Sequence, residues 1–231
     1  MGKFIQWIKQ PSISKPLIAA FLAVLILPVG VLAYFSYQSA WNALDRELIS
    51  SAKGNVEELN STLQNKLEDK VKAIDYYSET VDKDILLGKN KTLLKEKFKQ
   101  YTTLNDDVGA IYAASEDKKL YKYPDSGVPK GFDPTGRDWY KQAVAEKGQA
   151  VFSEPYTDEA TGDIVVTISK QLKDGSGVIA LDLNLDEVLT ASKRIKIGKE
   201  GFAFITTGNK KYIAHPTIKP GTTGSGDWTN Q

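Results

Sequence analysis

The chain has 231 residues, with 30 Lys or Arg against 29 Asp or Glu, one histidine and no cysteine. That near-balance of charge gives no global attraction to nucleic acid. The lack of cysteine excludes a disulfide scaffold, a thiolate metal site and a Cys nucleophile, and the lone His215 leaves little for a zinc site or a His-based triad.

The first element is apolar. Pro16 to Phe35 reads PLIAAFLAVLILPVGVLAYF, with no charged side chain. At helical rise such a run spans about 30 Å, the hydrocarbon thickness of a bilayer. Pro28 and Gly30 are tolerated in membrane helices, and Trp7, Tyr34 and Tyr37 flank the run as interfacial residues do. Lys3, Lys9 and Lys15 all precede it, and no acid lies in the first 36 residues. The positive-inside rule therefore predicts a cytoplasmic N-terminus over 1–15, a transmembrane helix over 16–36 and an extracytoplasmic remainder, 37–231, at the cell membrane. The run exceeds a signal peptide's core and the best cleavage site, near Ala40, is poor, so an uncleaved anchor is expected.

Beyond the membrane the pattern turns amphipathic. Apolar side chains from Trp41 through Leu67 and Tyr77 to Ile85 recur at a mean spacing of about 3.7 residues, one helical turn per step. This predicts a long helix within 37–87, roughly 60–75 Å in length. Such a helix needs a partner along its stripe, either a second copy, giving a homodimer, or the domain that follows.

Residues 88–192 read as an α+β module. A helix over 91–103 carries Leu93, Leu94, Phe98 and Tyr101 on one side. Strands follow at Val108 to Ala114 and Leu120 to Tyr123, then a turn-rich stretch over 124–135, a helix near 137–146 and an extended piece from Phe152 to Tyr156. Asp163 to Lys170 and Val178 to Leu185 are strands joined by a hairpin at Lys173 to Gly177, and a short helix runs from about Leu185 to Ala191. The connections are too short for parallel crossovers, so the sheet is mainly antiparallel. Residues 193–231 begin a second pattern, with strands at Gly201 to Thr206 and Lys211 to Ala214. Two strands are too few to bury a core. This piece is either an appendage or, as expected here, the truncated start of a second module in a longer polypeptide.

Chemistry concentrates in residues 132–158: Phe132, Arg137, Trp139, Tyr140, Tyr156 and Asp158. Asp182 joins them from the middle of an apolar strand, on the face of Val178 and Ala180 and opposite Ile179, Leu181 and Leu183. A buried carboxylate requires a partner. The partner is either Arg137, as a structural ion pair, or the ammonium of a ligand. Arg grips carboxylates bidentately, aromatics supply flat walls and two Asp suit an ammonium, which describes a zwitterion pocket. Asp158 with Glu159, or Asp182 with Asp186, lacks the defined cleft of a glycosidase pair, and Asp158, Glu159 and Asp163 do not fit a calcium loop. No catalytic residue, metal ligand or cofactor is assigned.

The segments FDPTGRDWYKQA, FSEPYTDEATGDIVVTISK and GVIALDLNLDEV, in that order, resemble the double Cache domain of bacterial methyl-accepting chemotaxis proteins. The resemblance covers about residues 10–231. It implies a long N-terminal helix beside two PAS-like modules, distal over 88–192 and proximal from 193. A second membrane helix and a signalling rod that meets cytoplasmic partners would follow Gln231. It further implies the amino-acid-sensing subset. Arg137 and Trp139 would hold a ligand carboxylate, Tyr156, Asp158 and Asp182 its ammonium, and Tyr140 would shape the pocket. Phe132 stands where that subset usually has Tyr and lacks its hydroxyl. The function implied is chemotactic sensing of a small zwitterion. Alternatives are the sensor of a histidine kinase or diguanylate cyclase, and a non-sensing tethered domain in which Arg137 and Asp182 form a core salt bridge.

Overall fold

The computed structural model describes residues 14–88, 90–125, 127–197 and 201–224. Of the expected cytoplasmic segment, residues 1–13, with Lys3, Trp7 and Lys9, lie outside them. Contacts divide the chain into residues 1–51 and 52–231.

In the first unit the described residues belong to one helix. Helix α1, Ser14–Thr80, is continuous for 67 residues with Pro28 inside it. The membrane run and the amphipathic run are therefore one element. Its apolar stretch is long and apolar enough to cross a membrane, with none of it buried in protein. Phe21, Leu25, Val29 and Leu32 are all exposed, as membrane association through this helix requires. Tyr37 and Trp41 stack at 6.3 Å.

The second unit is built on the C-terminal part of α1. The helical period runs on to Ile85, yet α1 stops at Thr80. Asp82 takes an extended backbone and accepts a hydrogen bond from Ile85 N at 2.9 Å, so it caps a new helix, α2, Lys83–Leu87. Helix α3, Lys91–Leu104, buries Leu94 and Phe98. Leu93 was expected beside them but is exposed, because one residue turns it about 100° from Leu94.

The strands are β1 Val108–Ser115, β2 Leu120–Tyr123, β3 Val151–Phe152, β4 Tyr156–Thr157, β5 Ile164–Gln171 and β6 Gly177–Asn184. They form one antiparallel sheet in the order β2-β1-β6-β5-β3, with β4 also on β5. Between β2 and β3 lie a 3-10 turn, Pro134–Gly136, and helix α4, Asp138–Ala145. Strand alternation sorts the two faces. Ile111, Ile179, Leu181 and Leu183 pack on Ile74, Tyr77, Leu94 and Phe98 of the helices. Ala110, Tyr112, Val178 and Ala180 face Trp139, Tyr140 and Ala143 of α4 and its approach. Ser169 fastens α4 to this face by donating to the Trp139 carbonyl at 2.8 Å.

The β5–β6 hairpin is fixed by its own chemistry. Asp174 accepts from Ser176 N at 3.0 Å and Ser176 Oγ at 2.7 Å, and from Lys83 N at 2.8 Å, which ties the turn to α2. Gly175 supplies the positive φ of 76°. At Gly177 a Cβ would come within 2.2 Å of the Ala114 carbonyl oxygen in the next strand. Gly177→Ala is therefore expected to destabilise the fold by about 1–3 kcal/mol through overpacking. Urea denaturation of the two proteins reads this directly, and equal midpoints would refute it.

Helix α5, Asp186–Arg194, follows, then β7 Lys196–Ile197, β8 Gly201–Phe202, β9 Ile205–Thr206 and β10 Tyr212–Ala214. The strand expected over 201–206 is split. Its first part pairs with β7 and its last with β10, so the chain changes partner at Ala203 and Phe204. His215 ends this piece as a turn residue. Its Nδ1 accepts from Thr217 N at 3.2 Å and Ile218 N at 3.1 Å, and its ring packs on Phe202 and Tyr212.

Candidate functional site

On the α4 side of the sheet, Asp182 in β6 lies opposite Ala110 of β1 and Thr167 of β5. It is 3% exposed. Its Oδ1 accepts from Tyr112 Oη at 2.7 Å and from Thr167 Oγ1 at 2.6 Å. Tyr156 Oη lies 2.8 Å from the same Thr167 oxygen. A hydroxyl has one proton, and Thr167 commits its proton to Asp182, so Tyr156 is the donor to Thr167. The result is a directed chain, Tyr156 to Thr167 to Asp182. Burial raises the Asp182 carboxyl to about 6, against the opposing pull of these hydrogen bonds and of Lys122. The same burial pushes both tyrosine hydroxyls up.

Above this chain is a narrow cleft. Tyr112, Tyr156 and Trp139 line its aromatic side, with Tyr112 and Trp139 edge-to-face at 5.1 Å. The 3-10 turn delivers Arg137 to it, held in place when Arg137 N donates to the Pro134 carbonyl at 3.2 Å. Upstream, Asp133 stiffens the turn by accepting from Thr135 N at 3.0 Å. Its hydrogen-bonded partner Lys118 holds the Asp133 carboxyl down at about 2. The Arg137 guanidinium lies 5.5 Å from the Phe132 ring and bonds Glu159 Oε1 at 2.6 Å.

The turn after β4 completes the lining beside Arg137. Asp158 Oδ1 accepts from Ala160 N at 3.1 Å and Thr161 N at 2.9 Å, while Asp158 N donates to the Asp163 carbonyl. This tight turn presents Asp158 and Glu159 to the cleft.

The structure thus gathers Phe132, Arg137, Trp139, Tyr156 and Asp158 around one cleft. Asp182 lies beneath it, linked through Tyr112 and Tyr156. Tyr140 does not line it and packs behind Trp139 at 5.8 Å. The ion pair between Arg137 and Asp182 does not form. Arg137 pairs with Glu159, and hydroxyl donors satisfy Asp182. Sequence reasoning missed Tyr112, Lys122, Thr167 and Glu159. Alternation could have put Tyr112 on the cleft face, but that it faces Lys122, and Thr167 Asp182, depends on strand register.

A larger, mostly apolar groove lies between the C-terminal part of α1, α5 and β9. Its Lys70 is already bound by Asn105 at 2.7 Å and Asp107 at 2.8 Å, so its charges are satisfied internally. No group of three His, Cys, Asp or Glu among the described residues is placed to hold a metal.

An antiparallel sheet with α1, α2 and α3 on one face, and α4 beside a charged, aromatic cleft on the other, is a PAS-like module with a small-molecule cleft. The match to the Cache domain model over residues 36–228 makes the family explicit, and the chain belongs to it. It is 43% identical over 231 residues to the methyl-accepting chemotaxis protein McpA of Bacillus subtilis (strain 168), covering all of this chain and 35% of that one. It is 41% identical to TlpA of the same organism, with the same coverage. The chain spans about a third of the length of these curated relatives. Two solved ligand-binding domains are similar in fold. One is that of the Pseudomonas aeruginosa amino acid chemoreceptor PctB with L-Arg, at TM-score 0.60 and 28% identity over 69% of this chain and 62% of that one. The other is that of the Pseudomonas fluorescens chemoreceptor CtaA with L-serine, at TM-score 0.58 and 26% identity over 70% and 69%.

Proposed function

We propose that this chain is the extracytoplasmic ligand-sensing part of a membrane chemoreceptor and that its cleft binds a free amino acid. The observation that carries this is the gathering of Arg137 and Asp158 on one aromatic cleft, with Asp182 buried beneath. Arg137 and Trp139 hold the ligand carboxylate. Tyr156, Asp158 and Asp182 hold its ammonium, with Tyr140 supporting the Trp139 wall. The structural likeness to receptor domains solved with L-Arg and L-serine supports the same ligand class. Phe132 offers no hydroxyl, so the carboxylate grip falls to Arg137.

The binding module is assigned to 88–192, with 193–231 beginning a second. Trp41, Leu44, Leu48 and Val56 of α1 are exposed along one helical stripe, which suits a homodimer through this helix. The N-terminus is assigned to the cytoplasm from its lysines. A ligand signals only as far as it prefers one of two states. In this protein the preference would be passed on through α1, with cytoplasmic partners met by segments beyond Gln231.

Arg137→Ala tests the assignment. Its loss should weaken amino-acid binding by roughly a hundredfold, since charge-assisted hydrogen bonds to the carboxylate disappear. The fold should survive. Arg137 is 29% exposed and its partner Glu159 48% exposed, so that pair is worth at most about 1 kcal/mol. Calorimetric titration beside thermal unfolding separates the two. Unchanged affinity in the folded variant would refute the site.

A further inference from the structure

The cleft holds a cation that the zwitterion assignment leaves unused. Lys122 lies on β2 directly across from Tyr112, is 6% exposed, and lines the cleft. Its ammonium makes no hydrogen bond to any described residue. Its one ion-pair contact is Asp158 Oδ1 at 3.7 Å, an oxygen that already accepts from two backbone N–H groups. The Tyr112 ring centroid is 5.8 Å away. Lys70 is equally buried and shows what a satisfied lysine looks like in this fold, with acceptors at 2.7 and 2.8 Å. An ammonium has three donors, and this one reaches the cleft with no acceptor at hydrogen-bond distance among the described residues, so a group entering the cleft can supply one.

A zwitterion's two backbone groups do not meet that need. The α-carboxylate goes to Arg137 and the α-ammonium to Asp158 and Asp182, so neither brings an acceptor to Lys122. What remains to face Lys122 is the ligand's side chain. We infer that Lys122 is a specificity-determining residue that receives the side-chain carboxylate of a dicarboxylic amino acid. The site then selects aspartate- or glutamate-like ligands over neutral ones and rejects basic ones. This rests on the amino-acid reading of the same cleft.

The test uses the full 231-residue chain reconstituted in lipid nanodiscs. Calorimetry gives Kd for L-aspartate, L-glutamate, L-alanine, L-leucine and L-lysine with the wild type, Lys122→Met and Lys122→Gln. Circular dichroism melts identify which variants are folded, and two replacements guard against one that fails. The wild type should bind an acidic amino acid tightest and L-lysine weakest. Removing the ammonium should weaken acidic ligands roughly tenfold to a hundredfold and leave neutral ones within about threefold. An equal loss for every amino acid would mean that Lys122 grips the α-carboxylate, which overturns the inference and keeps the amino-acid reading. A wild type that prefers neutral or basic ligands does the same. A folded wild type that binds none of the five overturns both.

Discussion

Asp182→Asn should abolish a dependence of stability on pH that the wild-type chain carries between about pH 4 and 6. The Asp182 carboxyl stands at about 6 in the folded protein against an ordinary 3.8, because burial penalises its charge. A raised folded value means that the native state holds the proton more tightly than the unfolded chain does. The associated stabilisation is complete below the ordinary value and is lost as pH climbs through 6. Two pKa units at about 1.4 kcal/mol each set the size, on the order of 3 kcal/mol. The groups facing Asp182 are Tyr112 on β1, Tyr156 on β4, Lys122 on β2 and Asp158 in the turn after β4. Both tyrosine hydroxyls are pushed up, so they remain neutral across this window. Asn keeps an oxygen that can accept from Tyr112 and Thr167 but cannot titrate. Asp133 and Asp174 are held low and contribute with the opposite sign in both proteins, so the difference between wild type and variant isolates Asp182. Chemical denaturation at pH 4.5 and 7.5 measures it. Parallel profiles for the two proteins would show that the carboxyl is not desolvated as the fold places it.

The same substitution bears on binding with the opposite pH sense. An ammonium ligand needs a carboxylate, so affinity in the wild type should fall as pH drops below about 6, while stability rises. A site whose stability and affinity move in opposite directions spends folding free energy to keep a charge ready for the ligand. Asp182→Asn should flatten both curves together.

Much of this was legible before any coordinates, and the remainder has identifiable physical reasons. The period of two along residues 178–183 placed Asp182 on one face because side-chain direction in a strand is local. The apolar run over 16–35 and the period near 3.7 beyond it were equally local. Partner identity was not. Lys122 reaches Asp158 and Tyr112 only through the register of β1 on β2, and Thr167 reaches Asp182 only through that of β5 on β6. Register is a long-range property that no window of sequence holds. Arg137 shows the converse. Its charge made it one of two candidate partners for Asp182, but Glu159 stands closer to solvent, and pairing there avoids burying a guanidinium. The end of α1 was masked because the apolar period runs past it, and Asp82 marked the break only as a cap.

Phe98→Ala should cost about 3–5 kcal/mol, the range for emptying a fully buried aromatic site. Phe98 is wholly buried, and its ring meets Tyr77 of α1 edge-on at 5.5 Å. It joins α3 and α1 to Ile111, Ile179 and Leu181, the sheet face opposite the cleft. A domain of ordinary stability has about 5–15 kcal/mol to lose, so the variant remains folded but far less so. Because Phe98 shares no partner with Arg137, Lys122 or Asp182, ligand affinity measured on the folded fraction should match the wild type. Ligand at a hundred times the wild-type Kd should then restore about 2.7 kcal/mol to either protein, by mass action alone. Denaturation with and without ligand tests both statements. A smaller restoration in Phe98→Ala would carry a different meaning from a failed site. It would show that the cleft is energetically coupled to the helix-bearing face of the sheet through Phe98 itself.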